Sequence, residues 1–248
     1  MTTADDLARM LAPHGLRLRG VLRAGGDVAV VLPDGRPTAA LALVGNVGSE
    51  LWPVFSAASE LTDGLADPLD RWTRRIGEAL AARLNAAALF PFTGPPFHPF
   101  QRWAMRAGGV VPSPLGLLVH PTYGLWHAYR FALLLPAFEW AADQGEGQGS
   151  AADGWPTEAA PGTVLPTDLC AACDGRPCLS ACPVGAFDGG GYRLASCAAH
   201  LRSHAGQRCA EVGCAARLAC PLGQGYRYQR AHQRFHMNAF VAARLGEP

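Results

Sequence analysis

The apolar positions change period several times along the first 140 residues, and each change predicts an element. Leu7, Met10 and Leu11 lie at helical spacing behind Thr2 and Thr3, either of which can cap a helix. Asp5 and Asp6 fall in its first turn, where the helix dipole favours negative charge, and Pro13 and Gly15 end it. Residues 16–23 and 27–32 alternate between apolar and polar, as strands joined through Gly25-Gly26 do. Thr38 to Val44 is a compact apolar run and predicts a buried strand. Gly45-Asn-Val-Gly-Ser49 and a short helix with Trp52 and Phe55 follow it. Such a strand, glycine turn and helix start presents backbone N–H groups to an anion, and an ordinary β–α turn has the same pattern.

The second half of this region continues in the same manner. Asp67-Pro68 predicts a helix start, with Leu69, Trp72, Ile76 and Leu80 as its buried stripe up to about Leu84. Ala86 to Phe90 reads as a strand. The loop 91–99 carries four prolines and is expected to be irregular. A helix from about Phe100 to Ala107 ends at Gly108-Gly109. Gly116 to His120 and Leu125 to Leu135 read as strands around the turn Pro121-Thr-Tyr-Gly124. Alternation of sheet and helix predicts an α/β (α+β) layered domain over residues 1–140. Residues 141–167 are rich in Gly, Ala, Gln, Ser and Pro and read as a linker. Residues 168–248 form the second domain. Its tail, Tyr226 to Arg244, is helix-like, with basic and aromatic residues interleaved as a docking face or a solvated helix surface.

Composition narrows the classes. The chain has 248 residues, a net charge of +1 and 49% hydrophobic residues. That balance gives no general attraction to nucleic acid or anionic lipid, so neither partner is expected. No apolar run reaches about 18 residues, so no membrane span is expected. The acidic start lacks the form of a signal peptide, and the expected compartment is the reducing cytoplasm. One local bias stands out: no Asp or Glu occurs between Glu78 and Glu139, while that span carries Arg83, Arg102, Arg106, Arg130, His98, His120 and His127. Such a wall suits an anionic ligand, and the alternative is core with solvated arginines.

The strongest chemical signal comes last in the chain. All eight cysteines lie between Cys170 and Cys220. The order is Cys170-x2-Cys173-x4-Cys178-x3-Cys182-Pro183, then Cys197, then Cys209-x4-Cys214-x5-Cys220-Pro221. Clustered cysteines in a reducing compartment read as metal ligands, and soft thiolates in such runs suit 4Fe–4S clusters. In two-cluster ferredoxins the cysteine before proline ligates the other cluster. By that rule Cys220 joins Cys170, Cys173 and Cys178, while Cys182, Cys197, Cys209 and Cys214 form the second set. The x4 and x5 gaps are longer than the usual x2 and x3, and structural zinc is the competing use of four-cysteine sites. His200 and His204, near Cys197, are further conceivable ligands or helix-surface residues.

The run Arg102-Trp-Ala-Met-Arg-Ala-Gly108, the segment Leu117-Leu-Val-His120-Pro-Thr-Tyr-Gly124-Leu-Trp126 and the cysteine block together resemble epoxyqueuosine reductases. The N-terminal part also resembles the cobalamin C processing family, through Ala12-Pro-His-Gly15, Leu61-Thr62, Asp67-Pro68-Leu-Asp70 and His120-Pro-Thr-Tyr-Gly-Leu-Trp-His-Ala-Tyr-Arg130. The resemblance implies a nitroreductase-like domain followed by a small helical, ferredoxin-like domain with two 4Fe–4S clusters. It also implies a bound corrinoid (cobalamin) near His120, Trp126, His127 and Arg130, with electrons arriving from a redox donor protein of the flavodoxin or ferredoxin reductase type. No acid occupies residues 79–138, where epoxyqueuosine reductases carry an aspartate proton donor, so reduction of a tRNA epoxide is not expected. The expected function is an iron–sulfur oxidoreductase passing electrons to a corrinoid. The alternative is a non-catalytic ferredoxin-type carrier whose N-terminal domain docks a partner, with a zinc-stabilised binding module as a third reading.

Overall fold

The computed structural model describes residues 1–25, 28, 30–140, 169–188 and 191–245. The expected linker, 141–167, lies outside the described residues. The first elements are helix α1 (Ala4–Leu11), strands β1 (Arg17–Arg23) and β2 (Ala40–Val47), helices α2 (Trp52–Ser56), α3 (Ser59–Thr62) and α4 (Pro68–Arg83), strand β3 (Ala87–Leu89) and helix α5 (Phe100–Ala107). Then come strands β4 (Val111–Pro112), β5 (Leu118–Val119) and β6 (His127–Leu135). The cysteine-bearing segment adds helices α6 (Pro177–Ser180), α7 (Leu194–Arg202), α8 (Gln207–Val212), α9 (Ala215–Leu218) and α10 (Arg230–Leu245). The fold is mixed α/β. No helix among the described residues is long and apolar enough to cross a membrane.

The chain divides into two compact units. The first takes Met1–Gly109 and the described residues from Ala128 to Trp140. The second takes Val110–His127 together with the described residues from Leu169 onward. Residues 110–127 thus group with the cysteines, whereas the reading from sequence set them in the N-terminal domain.

In the first unit a four-stranded sheet runs in the order β1-β2-β6-β3, with β1 antiparallel to β2 and β3 antiparallel to β6. β2 is buried at every position from Ala40 to Val47, so the apolar run seen in sequence is a central strand and continues three residues past Val44. Glycine and asparagine at 45 and 46 extend the strand rather than turning it. Of the second expected strand, residues 27 and 29 lie outside the described residues, and Val28 and Val31 form isolated bridges with Gly25 and Pro37. Helices α1 and α5 pack on β1, and α4 packs on β3. The buried stripe of α4 includes Leu69, Trp72, Ile76 and Leu80, as the helical period predicts. Trp72 meets Phe55 edge to face at 5.6 Å between ring centroids. The start of α4 differs in detail: Asp67 has a left-handed backbone and no side-chain cap bond.

Among its described residues the second unit is built from helices α6 to α10 and the two-stranded β4–β5 ladder. Leu115, Val119, Leu125, Ala216 and Cys220 are its buried core cluster. Cys170, Cys178, Cys182 and Cys214 pack against that cluster. Helix α10, longer than its neighbours, packs on α7 and α8.

Candidate functional site

Turns and helix ends present the eight cysteines. Cys178 lies in α6 and Cys182 just beyond it; Cys197 lies in α7 and Cys209 in α8. Cys214 is the N-cap residue of α9, and Cys220 follows that helix. All eight are free thiols, seven half-buried and Cys220 buried.

Their electrostatic neighbours sort them into two sets of four. Burial pushes the Cys170 thiol up, and the thiols of Cys220, Cys178 and Cys173 push it further. Burial likewise raises Cys178, with Cys173 adding to it, and raises Cys220, with Cys178 and Cys173 beside it. In the other set burial raises Cys197, whose neighbours are Cys182 and Cys209. It raises Cys214 too, beside Cys197 and Cys182. Among the described residues no three His, Cys, Asp or Glu side chains stand close enough to hold one metal ion.

Hydrogen-bond donors surround these sulfurs. The Ala186 N–H donates to Cys182 Sγ at 3.2 Å. Backbone N–H groups near Cys214, Cys220 and Cys178 partly offset the effect of burial on these thiols. Tyr192 is a neighbour of the Cys197 thiol. Sequence reasoning passed over Tyr192; its position two residues before a cysteine-bearing helix was the available signal.

The four residues that the resemblance assigns to a corrinoid are placed as follows. His120 is 2% exposed. Its Nδ1 accepts from the N–H groups of Thr122 at 3.0 Å and Tyr123 at 3.2 Å, and its ring stacks on Tyr123 at 4.1 Å. It therefore anchors the 120–124 turn. Trp126, 1% exposed, packs edge to face on Tyr228 at 5.5 Å, with the Arg217 guanidinium 4.5 Å from its ring centroid. His127, 8% exposed, lies edge-on to His120 at 6.0 Å. These three belong to the second unit, and Arg130 belongs to the first. Arg130 Nε donates to Asn46 Oδ1 at 3.1 Å. Arg130 is also a charge neighbour of Asp70, whose carboxyl burial raises above its ordinary value. The span without acids in sequence is thus not without acids in space, because α4 supplies one.

The His120 turn supports the cysteine-bearing chain directly. A methyl group on Gly124 would come within 2.1 Å of the Leu222 carbonyl oxygen, and one on Gly223 within 2.1 Å of the Tyr123 oxygen. Both glycines have positive φ, 56° and 69°. The backbone after Cys220-Pro221 therefore lies flat against the turn at a distance only glycine allows. Arg217 ties the same region by donating to the Leu125 carbonyl. His200 lines a groove with Arg208 and Cys209, and its Nε2 is buried rather than on the helix surface.

No family model matches the chain, and no curated protein matches it. Among solved structures, the chain is similar to the B12-trafficking protein CblC of C. elegans, described as a human MMACHC homologue. The TM-score is 0.48 at 14% identity, over 95% of this chain and 92% of that one. Likeness at this level carries no argument about function.

Proposed function

We propose that the protein is an iron–sulfur electron-transfer protein of the oxidoreductase type. It would hold one 4Fe–4S cluster on Cys170, Cys173, Cys178 and Cys220, and another on Cys182, Cys197, Cys209 and Cys214. The observation that carries this reading is the sorting of eight thiols into two sets of four. The donor chemistry fits: thiolates are the ligands such clusters take, and N–H groups aimed at sulfur are the usual means of stabilising their charge. When bound, the clusters supply one-electron transfer. Leu115, Val119 and Leu125 keep water from the sulfurs, and the Gly124–Gly223 contact fixes the chain that carries Cys220.

We assign the electrons to a corrinoid substrate, drawn from a flavodoxin- or ferredoxin reductase-type donor in a reducing compartment, with the first unit as a nitroreductase-like domain. This finer assignment rests on the resemblance of residues 102–130 and of the cysteine block. Arg130, half-buried on β6, is the residue we retain for corrinoid contact. The burial of His120, Trp126 and His127 favours a second reading, a carrier that docks a partner protein and binds no corrinoid.

Anaerobic metal and sulfide analysis of the purified chain tests the first step. About eight irons per chain are expected; zinc without iron would sink the reading. Anaerobic titration of the iron-loaded protein with cob(II)alamin separates the rest. A saturable change in absorbance supports the corrinoid, and its absence leaves the carrier.

A further inference from the structure

We infer that His232 and His236 of α10 form a binding site for one divalent transition-metal ion of the nickel or copper class, separate from the cysteines. The inference stands on other residues than the two-cluster reading and does not depend on it.

The helix brings the two rings together. Residues four apart lie on one face of a helix, one turn from each other, and α10 runs from Arg230 to Leu245. The two Nε2 atoms stand 3.0 Å apart, with the ring centroids 4.8 Å apart and the planes at 36°. His232 is 0% exposed. Its ring stacks on Tyr228 at 4.1 Å with planes 11° apart. Tyr228 in turn packs on Trp126 at 5.5 Å and carries the Arg217 guanidinium 4.5 Å from its ring centroid. His236 is half-buried and lies 5.8 Å from Tyr228. One imidazole is therefore fixed by stacking, and its neighbour one turn on reaches toward solvent.

The separation of the two nitrogens selects the ion. Imidazole suits zinc, copper, iron and nickel. Nitrogens about 2.1 Å from one ion are about 3.0 Å apart at the cis angle of about 90°, and about 3.4 Å apart at the tetrahedral angle. The observed 3.0 Å fits the cis angle, which copper(II) and nickel(II) adopt in tetragonal sites. Where two Nε2 atoms meet, one carries the proton and the other a lone pair. A change of tautomer turns both lone pairs toward an ion without changing the charge of either ring. Among the described residues no group of three His, Cys, Asp or Glu side chains forms a closed site, so water takes the remaining positions on the half-buried His236 side. The nearby helix charges leave room for a cation: Arg230 is paired with Glu211 at 3.2 Å, and Arg234 is exposed. Helical zinc sites of hydrolases have the same histidine spacing with a glutamate after the first histidine. Gln233 stands there in this chain, so the site binds an ion and has no general base for hydrolysis.

The test is an anaerobic titration of the untagged, iron-loaded full chain with nickel(II) alone, followed by calorimetry and by X-ray absorption at the nickel edge. Wild type is expected to bind one nickel more tightly than His236→Ala, by at least about tenfold, the lower end of what losing even a residue that orients a metal ligand costs. The nickel bound only by wild type should have nitrogen and oxygen neighbours and no sulfur. Arg234→Ala, exposed on the same helix, should bind as wild type does. His236→Gln, which keeps a hydrogen-bonding group beside His232, should lose nickel as His236→Ala does. Equal nickel affinity in wild type and His236→Ala, retention of nickel by His236→Gln, or sulfur neighbours for the extra nickel would overturn the inference. All these proteins share the same eight cysteines, so nickel held by sulfur cancels in the comparison. A chain that takes up no iron would overturn the two-cluster reading and leave this comparison valid.

Discussion

The two units are held together by different physics. In the first, β2 is buried along its whole length and the side chains of α4 and α5 cover the sheet, so apolar burial accounts for its order. In the second, α6 and α9 have four residues each and α8 has six. Helices that short are unstable by themselves. The core around them is small, and sulfur atoms contribute much of its surroundings. If the thiols bind metal as proposed, α6, α8 and α9 would draw order from it, whereas the first unit draws order from its own side chains.

Removal of iron is the harshest way to break that contrast. Chelation of the iron-loaded protein under anaerobic, reducing conditions is expected to speed amide exchange in α6 to α9 at least about tenfold, while β2 and β6 keep their protection. Hydrogen exchange read by mass spectrometry reports both units in one sample. Equal loss of protection in both would mean that metal and sheet form one cooperative unit. Unchanged protection in both would mean that the thiols need no metal for their arrangement.

A smaller effect comes from the glycine contact. Gly124→Ala forces a methyl group to within 2.1 Å of the Leu222 carbonyl in a left-handed backbone position. Overpacking and backbone strain together cost about 3 kcal/mol or more. The expected result is poor iron retention at the site containing Cys220, with the circular dichroism of the sheet preserved. Full iron content in Gly124→Ala would show that the turn merely lies near the cysteine chain and does not support it.

The same contrast governs what could be read from sequence. Periodicity located β1, β2, α4, β3 and α5 to within a few residues, because their side chains alternate between one apolar environment and water. In the cysteine block no period exists, and ligand spacing with the crossing rule took its place. That rule joins Cys220 to Cys170, Cys173 and Cys178, and this grouping belongs to the proposed clusters. Residues 110–127 escaped both kinds of reading. Their apolar pattern looks like one more hairpin of the sheet, but Leu115, Val119 and Leu125 bury themselves against Ala216 and Cys220 nearly a hundred residues later. Only Gly124 and Gly223 hold a trace of that contact in sequence, and a positive φ alone does not name its partner. His120 and Trp126 were named through the resemblance alone; in the fold His120 Nδ1 accepts from the N–H groups of the turn, and Trp126 packs edge to face on Tyr228.

The mildest perturbation falls on the first unit and should leave the cysteines untouched. Thr3 caps α1 in a reciprocal box: its hydroxyl oxygen accepts from the Asp6 N–H at 3.1 Å, and Asp6 accepts from the Thr3 N–H at 3.0 Å. Thr3→Ala is expected to cost about 1 kcal/mol of stability in the sheet-bearing unit. The backbone bond from Thr3, followed by its side chain, holds the Asp6 carboxyl below its ordinary value. A carboxylate depressed in the folded state adds stability above its unfolded pKa and loses it as pH falls through the folded value. The Asp6 contribution should therefore be present at neutral pH and fade in the acid range, and Thr3→Ala should shrink that fade. Thermal melts of both proteins across the acid limb, with iron content measured alongside, read the effect. Iron loss that accompanies so small a change in α1 would show that the two units do not keep their stabilities apart.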